Sequence, residues 1–192
     1  MMRAPDVDQL VNYRNQPDVA RFQDWVMPFT VELGSRLIDG QATLDGPTND
    51  AWVQLAVELG GTTIGDVAIE VRDGGRQAMI GYSITTDAQG HGYATEAVGA
   101  VVDALFDQAD LHRIVASIDP ENRASRRVLE KLGFRFEGRS PSSVLVRGTW
   151  VDDDHFALLA SAHVRRQPGP RSNLKSFGSC GSDPSHSQNL SI

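Results

Sequence analysis

Cysteine is almost absent from this sequence. Cys180 is the only one among 192 residues, so no disulfide can form within the chain. A chain without disulfides suits a reducing compartment, and we expect a cytoplasmic protein. No apolar run approaches the roughly 20 residues that a membrane helix needs, and the first residues show no charged-then-apolar leader. These absences predict no signal peptide and no contact with a membrane.

Basic residues are fewer than acidic residues in this sequence. The sequence has 18 Lys and Arg against 25 Asp and Glu, which gives a net charge of −7. General nucleic-acid binding requires clustered Lys and Arg, so we expect no nucleic-acid partner. The five histidines show no paired ligand spacing, and we predict no metal site.

A glycine-rich turn lies between a strand pattern and a helix pattern in the middle of the chain. Ile80–Ile84 alternates apolar and small residues like a strand, and helical spacing of apolar residues begins at Tyr93. Free N–H groups at such a helix start suit a phosphate, although many turns of this kind are only turns. The turn lacks the Gly-Lys-Ser/Thr of a P-loop, and no acidic residue completes a dinucleotide fingerprint.

A second motif follows the next strand pattern, Leu111–Ile118. Asn122 and Ser125 have the spacing Asn-x-x-Ser, and the segment Leu129–Phe134 reads Leu-Glu-Lys-Leu-Gly-Phe. Together with Gln-x-x-Gly-x-Ala over residues 89–94, these motifs resemble the GNAT superfamily of acetyl-CoA-dependent N-acetyltransferases, most closely its RimJ/RimL-type branch. The resemblance extends roughly from Pro5 to Ala162.

The resemblance implies an α+β fold of the GNAT type. We expect a mixed, mostly antiparallel sheet that is splayed in the middle and flanked by helices. One or two short helices over Asp6–Met27, an initial three-strand meander and three final strands fit this order. The predicted domain covers residues 1–162, and residues 163–192 are predicted to be a disordered tail.

Relatives usually begin with an extended strand before the first helix, and this sequence starts at the end of that strand. Either the true start lies upstream or the first strand is reduced. Its loss would expose the edge of the next strand, so we expect the tail, a neighbouring molecule or a homodimer partner to cover that edge.

The resemblance also implies the cofactor site for acetyl-CoA. The strand end at Ile84, Thr85 and Thr86 should pair with the pantetheine arm. The turn should hold the pyrophosphate, through Gln89, Gly90, His91, Gly92, Tyr93, Ala94 and Thr95. Asn122 should bond the pantetheine amides, or serve only as a helix N-cap. Three basic residues of the same helix either screen the phosphates or only face solvent: Arg126, Arg127 and Lys131.

The implied reaction is attack of a primary amine on the thioester in a ternary complex, and its catalytic residues are less clear than its cofactor loop. Ser125 is the candidate for protonating the leaving thiolate. Met79 stands where many relatives carry an acidic residue, so Asp66, which follows a strand glycine, is the first candidate for the base, ahead of Glu58 and Glu70.

The acceptor and the alternative function stay open at this stage. The acceptor amine is a protein N-terminus or a small molecule, with Phe22 and Trp25 as candidate substrate contacts. The alternative is a CoA-binding module without catalysis.

Overall fold

A computed structural model describes residues 1–49 and 51–163. The predicted tail therefore lies outside the described residues, apart from His163. The described part forms five α-helices and six strands, together with short 3₁₀ turns. The helices are α1 (Val7–Arg14), α2 (Pro17–Ala20), α3 (Val31–Gln41), α4 (Tyr93–Gln108) and α5 (Arg123–Lys131). The strands are β1 (Trp52–Leu59), β2 (Thr62–Arg72), β3 (Gln77–Ile84), β4 (Arg113–Ile118), β5 (Arg135–Val146) and β6 (Thr149–Leu159).

The strands form one mixed sheet in the order β1-β2-β3-β4-β6-β5. Every pair is antiparallel except β3 and β4, which are parallel. That pair is bonded only over Gln77–Met79 and Arg113–Val115, and the two strands separate beyond this point. The expected mostly antiparallel sheet with a splay in its middle is confirmed.

Helices cover both faces of the sheet because alternate strand residues point to opposite sides. On one face, α4 and α5 pack on the larger core, whose fully buried members include Val53, Ile69, Val98, Ile114 and Leu129. On the other face, α1 and α3 enclose a second core around Leu10, Tyr13, Phe29 and Ile38. The sheet therefore supports two separate helical layers, and the splay lies between them.

The end of the sheet differs from the sequence prediction. Three final strands were expected, but the first two are a single strand, β5, which pairs with β6 along its length. The register of that pair shifts between Ser140 and Val144, where a polar and proline-containing segment lies. The sequence shows this irregularity as a break in alternation, which is why one bulged strand resembles two.

The edge of β1 is covered from within the chain. The Gln41 side chain accepts from the Gln54 N–H at 2.7 Å and donates to the Gln54 carbonyl at 3.1 Å. The Met2 N–H donates to the same carbonyl at 2.8 Å, and both Met2 and Gln41 are buried. Neither the tail nor a partner is needed at this part of the edge, since α3 and the first residues satisfy it.

Over residues 1–49 and 51–163, no helix combines the length and the apolarity required to cross a bilayer. The same residues contain no group of three His, Cys, Asp or Glu side chains placed to hold a metal ion.

Candidate active site

The splay between β3 and β4 opens a cavity of about 300 Å³. Its walls come from the segment after α2, from β3, from the end of β4, from the start of α5 and from the β5–β6 hairpin. Asn122 and Ser125 lie on one wall, and Phe22 lies on another. The cavity thus places residues of the second sequence motif next to the first helical segment, which sequence alone does not bring together.

The glycine turn forms the N-terminal end of α4. Gly90 and Gly92 have φ of 79° and 90°, a region in which other residues are strained. Nothing lies within 4 Å of the position that a Cβ would occupy at either glycine, so this surface of the turn is open. The N-cap residue of α4 is Gly92, which has no side chain to accept a hydrogen bond from the helix. The first N–H groups of any α-helix also lack helical partners. The turn can therefore receive an anionic group.

Other residues of the turn stabilise its shape. The Gln89 side chain donates to the Ile84 carbonyl at 3.0 Å, which fixes the turn to the end of β3. The rings of His91 and Tyr93 stack at 5.8 Å between centroids, and His91 Nδ1 lies 2.8 Å from the Gln89 carbonyl.

The end of β3 is arranged differently from the prediction. The Thr85 N–H donates to the Ile64 carbonyl of β2 at 2.8 Å, and the Thr86 N–H donates to Gln16 Oε1 at 2.8 Å. The N–H groups of Thr85 and Thr86, two of the three residues expected to meet pantetheine, are therefore already bonded within the chain. Because main-chain groups alternate in direction along a strand, the N–H of the third residue, Ile84, faces the splay, as does that of Tyr82.

Asn122 and Ser125 lie where α5 begins. Asn122 Oδ1 accepts from the Ser125 N–H at 3.0 Å, which makes Asn122 the N-cap of α5. The Tyr82 hydroxyl donates to the Ser125 carbonyl at 3.1 Å, and burial raises the pKa of Tyr82 to about 12. These bonds fix the first turn of α5 across the splay from β3. Asn122 therefore caps α5 as one of its two predicted roles requires, and both Asn122 and Ser125 also line the cavity.

Arg126 has a structural partner. Its Nη2 lies 2.6 Å from Asp154 Oδ2, and its guanidinium lies over the rings of Phe136 and Phe156. Arg139 Nε lies 2.6 Å from the other oxygen of Asp154. Arg126 thus links α5 to β6 through this ion pair, instead of facing the phosphates of the cofactor.

Asp66 lies in a different place from the one its predicted role requires. Its side chain is buried against α1, where the Tyr13 hydroxyl donates to Oδ1 at 2.5 Å and Arg14 Nη2 lies 3.6 Å from Oδ2. Burial raises the pKa of Asp66, while Arg14 and Tyr13 oppose that rise. Asp66 does not line the cavity. The structure therefore gives it the role of joining α1 to β2. Of the other candidates, Glu70 is paired with Arg72, and Glu58 is exposed.

The two predicted substrate contacts are separated by the structure. Phe22 lines the cavity, but Trp25 does not. The Trp25 ring packs instead on the Arg14 guanidinium, with 4.5 Å from its centroid to Cζ, and meets the edge of Phe29. Trp25 is therefore part of the contact between the segment after α2 and α1.

Comparisons with known proteins agree with this geometry. Residues 1–135 match the family described as "Acetyltransferase (GNAT) domain". This chain belongs to the GNAT acetyltransferase family. It is 31% identical over 163 residues to the uncharacterized N-acetyltransferase p20 of Bacillus licheniformis, a match that covers 82% of this chain and 89% of p20.

Two further relatives are informative. The probable N-acetyltransferase YjcK of Bacillus subtilis is 43% identical over 89 residues, which is 46% of this chain and 49% of YjcK. The chain thus spans about half the length of that relative. The solved structure of Mycobacterium smegmatis RimJ in complex with CoA-disulfide is 28% identical, with a TM-score of 0.73 over 83% of this chain and 80% of that one. The resemblance to the RimJ/RimL-type branch is confirmed.

Membership of the GNAT family makes acetyl-CoA the expected co-substrate, and the residues of this chain fit it. The open surface at Gly90 and Gly92 and the N-terminal end of α4 suit a pyrophosphate. The unpaired parts of β3 and β4 leave room for an extended arm between them. The enzymatic interpretation is favoured over a CoA-binding module without catalysis, because the relatives are named as N-acetyltransferases.

Sequence reasoning missed a polar row beside the cavity, formed by residues of β4, β5 and β6. Ser117 of β4 and His155 of β6 are register partners, and Ser140 of β5 is the register partner of Asp153. Ser117 and Asp153 line the cavity together with Asn122 and Ser125. The period-two placement of Asp153 and His155 was visible in the sequence, but the register that joins three strands was not.

Proposed function

We propose that this chain transfers the acetyl group of acetyl-CoA to a primary amine by direct attack within a ternary complex. The observation that carries the proposal is the cavity at the splay. Ser125 and Asn122 line it together with Phe22 and Asp24 of the segment after α2. An amine and a thioester can meet there without a covalent enzyme intermediate.

Different residues of the chain bind the cofactor and take part in the reaction. Bound acetyl-CoA supplies the activated acetyl group as a thioester. The N–H groups at Gly90–Thr95 hold the pyrophosphate. Main-chain groups of Tyr82 and the N–H of Ile84, whose carbonyl already accepts from Gln89, orient the pantetheine arm. Ser125 lies where its hydroxyl can hydrogen-bond the leaving sulfur. A thiol with a pKa of about 8.5 needs only modest help to leave.

The acceptor side carries negative charge. Four carboxylates line the cavity: Asp24, Asp119, Asp152 and Asp153. An amine that arrives as its ammonium form is attracted to such a wall. We propose an acceptor that is either a peptide N-terminus or a small amine.

The setting of the enzyme completes the proposal. We propose a cytoplasmic location, in keeping with the single cysteine, and no nucleic-acid partner, in keeping with the net charge of −7. A homodimer is the assembly that we propose to test, by light scattering of the full chain.

The experiment follows free thiol release from acetyl-CoA with a panel of α-amino peptides, polyamines and aminoglycosides. Transfer to one amine class, with no release when the amine is omitted, supports the proposal. Binding of acetyl-CoA without transfer to any member of the panel would instead indicate a CoA-binding module that lacks catalysis. Mass spectrometry of the acceptor identifies which nitrogen carries the acetyl group.

A further inference from the structure

Three consecutive aspartates of β6 have three different environments. Asp154 is fully buried and bonded to Arg126 and Arg139. Asp152 lies 3.7 Å from Arg139 and accepts the Ser142 N–H. Asp153 points to the opposite face from Asp154, since side chains alternate along a strand. Within residues 1–49 and 51–163, no arginine or lysine is in ion-pair contact with Asp153.

The surroundings of Asp153 form a chain of hydrogen bonds. His155 Nε2 lies 2.7 Å from the Ser140 hydroxyl, and Nδ1 lies 3.0 Å from the Ser117 hydroxyl. The Ser117 hydroxyl also lowers the pKa of the Asp153 carboxylate. Each ring nitrogen of His155 therefore has a serine hydroxyl as its hydrogen-bond partner, whichever nitrogen carries the proton. These bonds fix the imidazole ring beside Asp153.

Asp153 has the position that a proton acceptor needs. It lines the same cavity as Ser125, and its side chain is only 15% exposed. His155 Nδ1 is 3.8 Å from its Oδ2, which orients the carboxylate without closing it off in a tight ion pair. Unlike Asp66, which is buried against α1, Asp153 lines the cavity. A half-buried carboxylate in a cavity wall can offer an oxygen to an incoming amine.

We propose that Asp153 is the general base of the acetyl transfer, with Ser117, His155 and Ser140 as positioning residues. This inference rests on the proposed function. Asp153 takes one proton from the ammonium form of the acceptor and later releases it to solvent. The nitrogen lone pair then forms the N–C bond, and the C–S bond breaks with its electron pair on sulfur. The second proton lost from nitrogen ends on the thiolate, where Ser125 lies.

The electrostatics of the site agree with this role. Burial raises the pKa of Asp153 above its ordinary value, and His155 and Ser117 oppose that rise. Asp154 and Asp119 raise the pKa further. A more basic carboxylate is a better proton acceptor near neutral pH. The charged and titratable groups around Asp153 come from several elements: Asp24 after α2, Asp119 after β4, Arg139 on β5, and Asp152, Asp154 and His155 on β6.

The test is the pH profile of kcat/KM for the amine. Asp153→Asn should lower kcat/KM about 100-fold at pH 7. The acidic limb set by Asp153 should be replaced by one that follows deprotonation of the amine, so the rate recovers at high pH as the amine becomes neutral unaided. Calorimetry should show unchanged acetyl-CoA binding. Asp152→Asn removes the same charge from the same cavity and should keep the acidic limb. Asp153→Ala should regain rate with added formate, which a purely structural role does not explain.

Ser117→Ala keeps the test valid if the Asp153 variants fail to fold. Its hydroxyl lowers the pKa of Asp153, so its removal should move the acidic limb to higher pH and reduce the rate more at pH 6 than at pH 8. A kcat/KM for Asp153→Asn within threefold of wild type, or an acidic limb that stays in place in Ser117→Ala, overturns the inference. No transfer by the wild-type chain to any amine would contradict the proposed function itself, which is a different result.

Discussion

Substitution of Asp154 tests how the structure fixes α5 beside the cavity. Asp154 has 0% exposure, and three N–H groups of Arg126 and Arg139 point to its two oxygens at 2.6 to 3.2 Å. It joins α5, β5 and β6, and Arg126 directly follows Ser125. Asp154→Asn keeps the volume of the side chain but removes the charge that both arginines need.

The expected loss of unfolding free energy depends on how far Asp154 and its two arginine partners are buried. Breaking a fully buried ion pair costs about 3–5 kcal/mol. The Arg126 and Arg139 side chains are 32% and 46% exposed, so water can solvate them after the change. We therefore expect Asp154→Asn to lower the free energy of unfolding by about 2–3 kcal/mol at pH 7. Asp152→Asn is the matched control, and its exposed contact with Arg139 should cost no more than about 1 kcal/mol.

The assay is urea unfolding of both variants at pH 7 and at pH 3. Arg139, followed by Arg126, lowers the pKa of Asp154 below its ordinary value of about 3.9. A lowered folded-state pKa contributes stability that is present above the unfolded pKa and is lost as pH falls through the folded pKa. The deficit of Asp154→Asn should thus shrink at pH 3. A loss below 1 kcal/mol at pH 7, or an equal loss at both pH values, would refute the reasoning.

Three further predictions concern single side chains. Ser125→Ala should lower turnover about tenfold while the calorimetric affinity for acetyl-CoA changes less than twofold; unchanged turnover would remove Ser125 from the mechanism. Gln41→Leu should reduce stability in urea by about 2 kcal/mol, because the Gln54 N–H at the β1 edge loses its buried acceptor while the Gln54 carbonyl keeps the Met2 N–H; a neutral effect would show that the edge needs no cover. Tyr13→Phe should cost about 1–3 kcal/mol by leaving buried Asp66 without its hydroxyl donor, and thermal melts should show no change if that bond is unimportant.

The sequence predicts the parts of this fold that depend on neighbouring residues. The Gly60-Gly61 turn has φ of 59° and 83° and joins β1 to β2 as the hairpin pattern requires. The start of α4 at Tyr93 is where helical spacing begins. These features follow from local backbone preferences, so they can be read without knowledge of the tertiary structure.

The residues whose role depends on distant contacts could not be placed in the same way. Asp66 follows a strand glycine, but Tyr13 and Arg14, more than fifty positions earlier, bury it. The Thr85 N–H faces β2 rather than the splay, because it donates to the Ile64 carbonyl. Asp153 lines the cavity because of a register shared by three strands, and no local pattern encodes that register.

The central claim is that the splay and the glycine turn bind acetyl-CoA, and one calorimetric titration tests it. Wild type should bind one acetyl-CoA per chain, and Gly92→Val should bind at least tenfold more weakly, because a β-branched residue at φ 90° distorts the turn. Gly40→Ala in α3 is the control, since nothing lies within 4 Å of its added Cβ and the site is elsewhere. Equal binding by wild type and Gly92→Val, or no binding by wild type, would contradict the account.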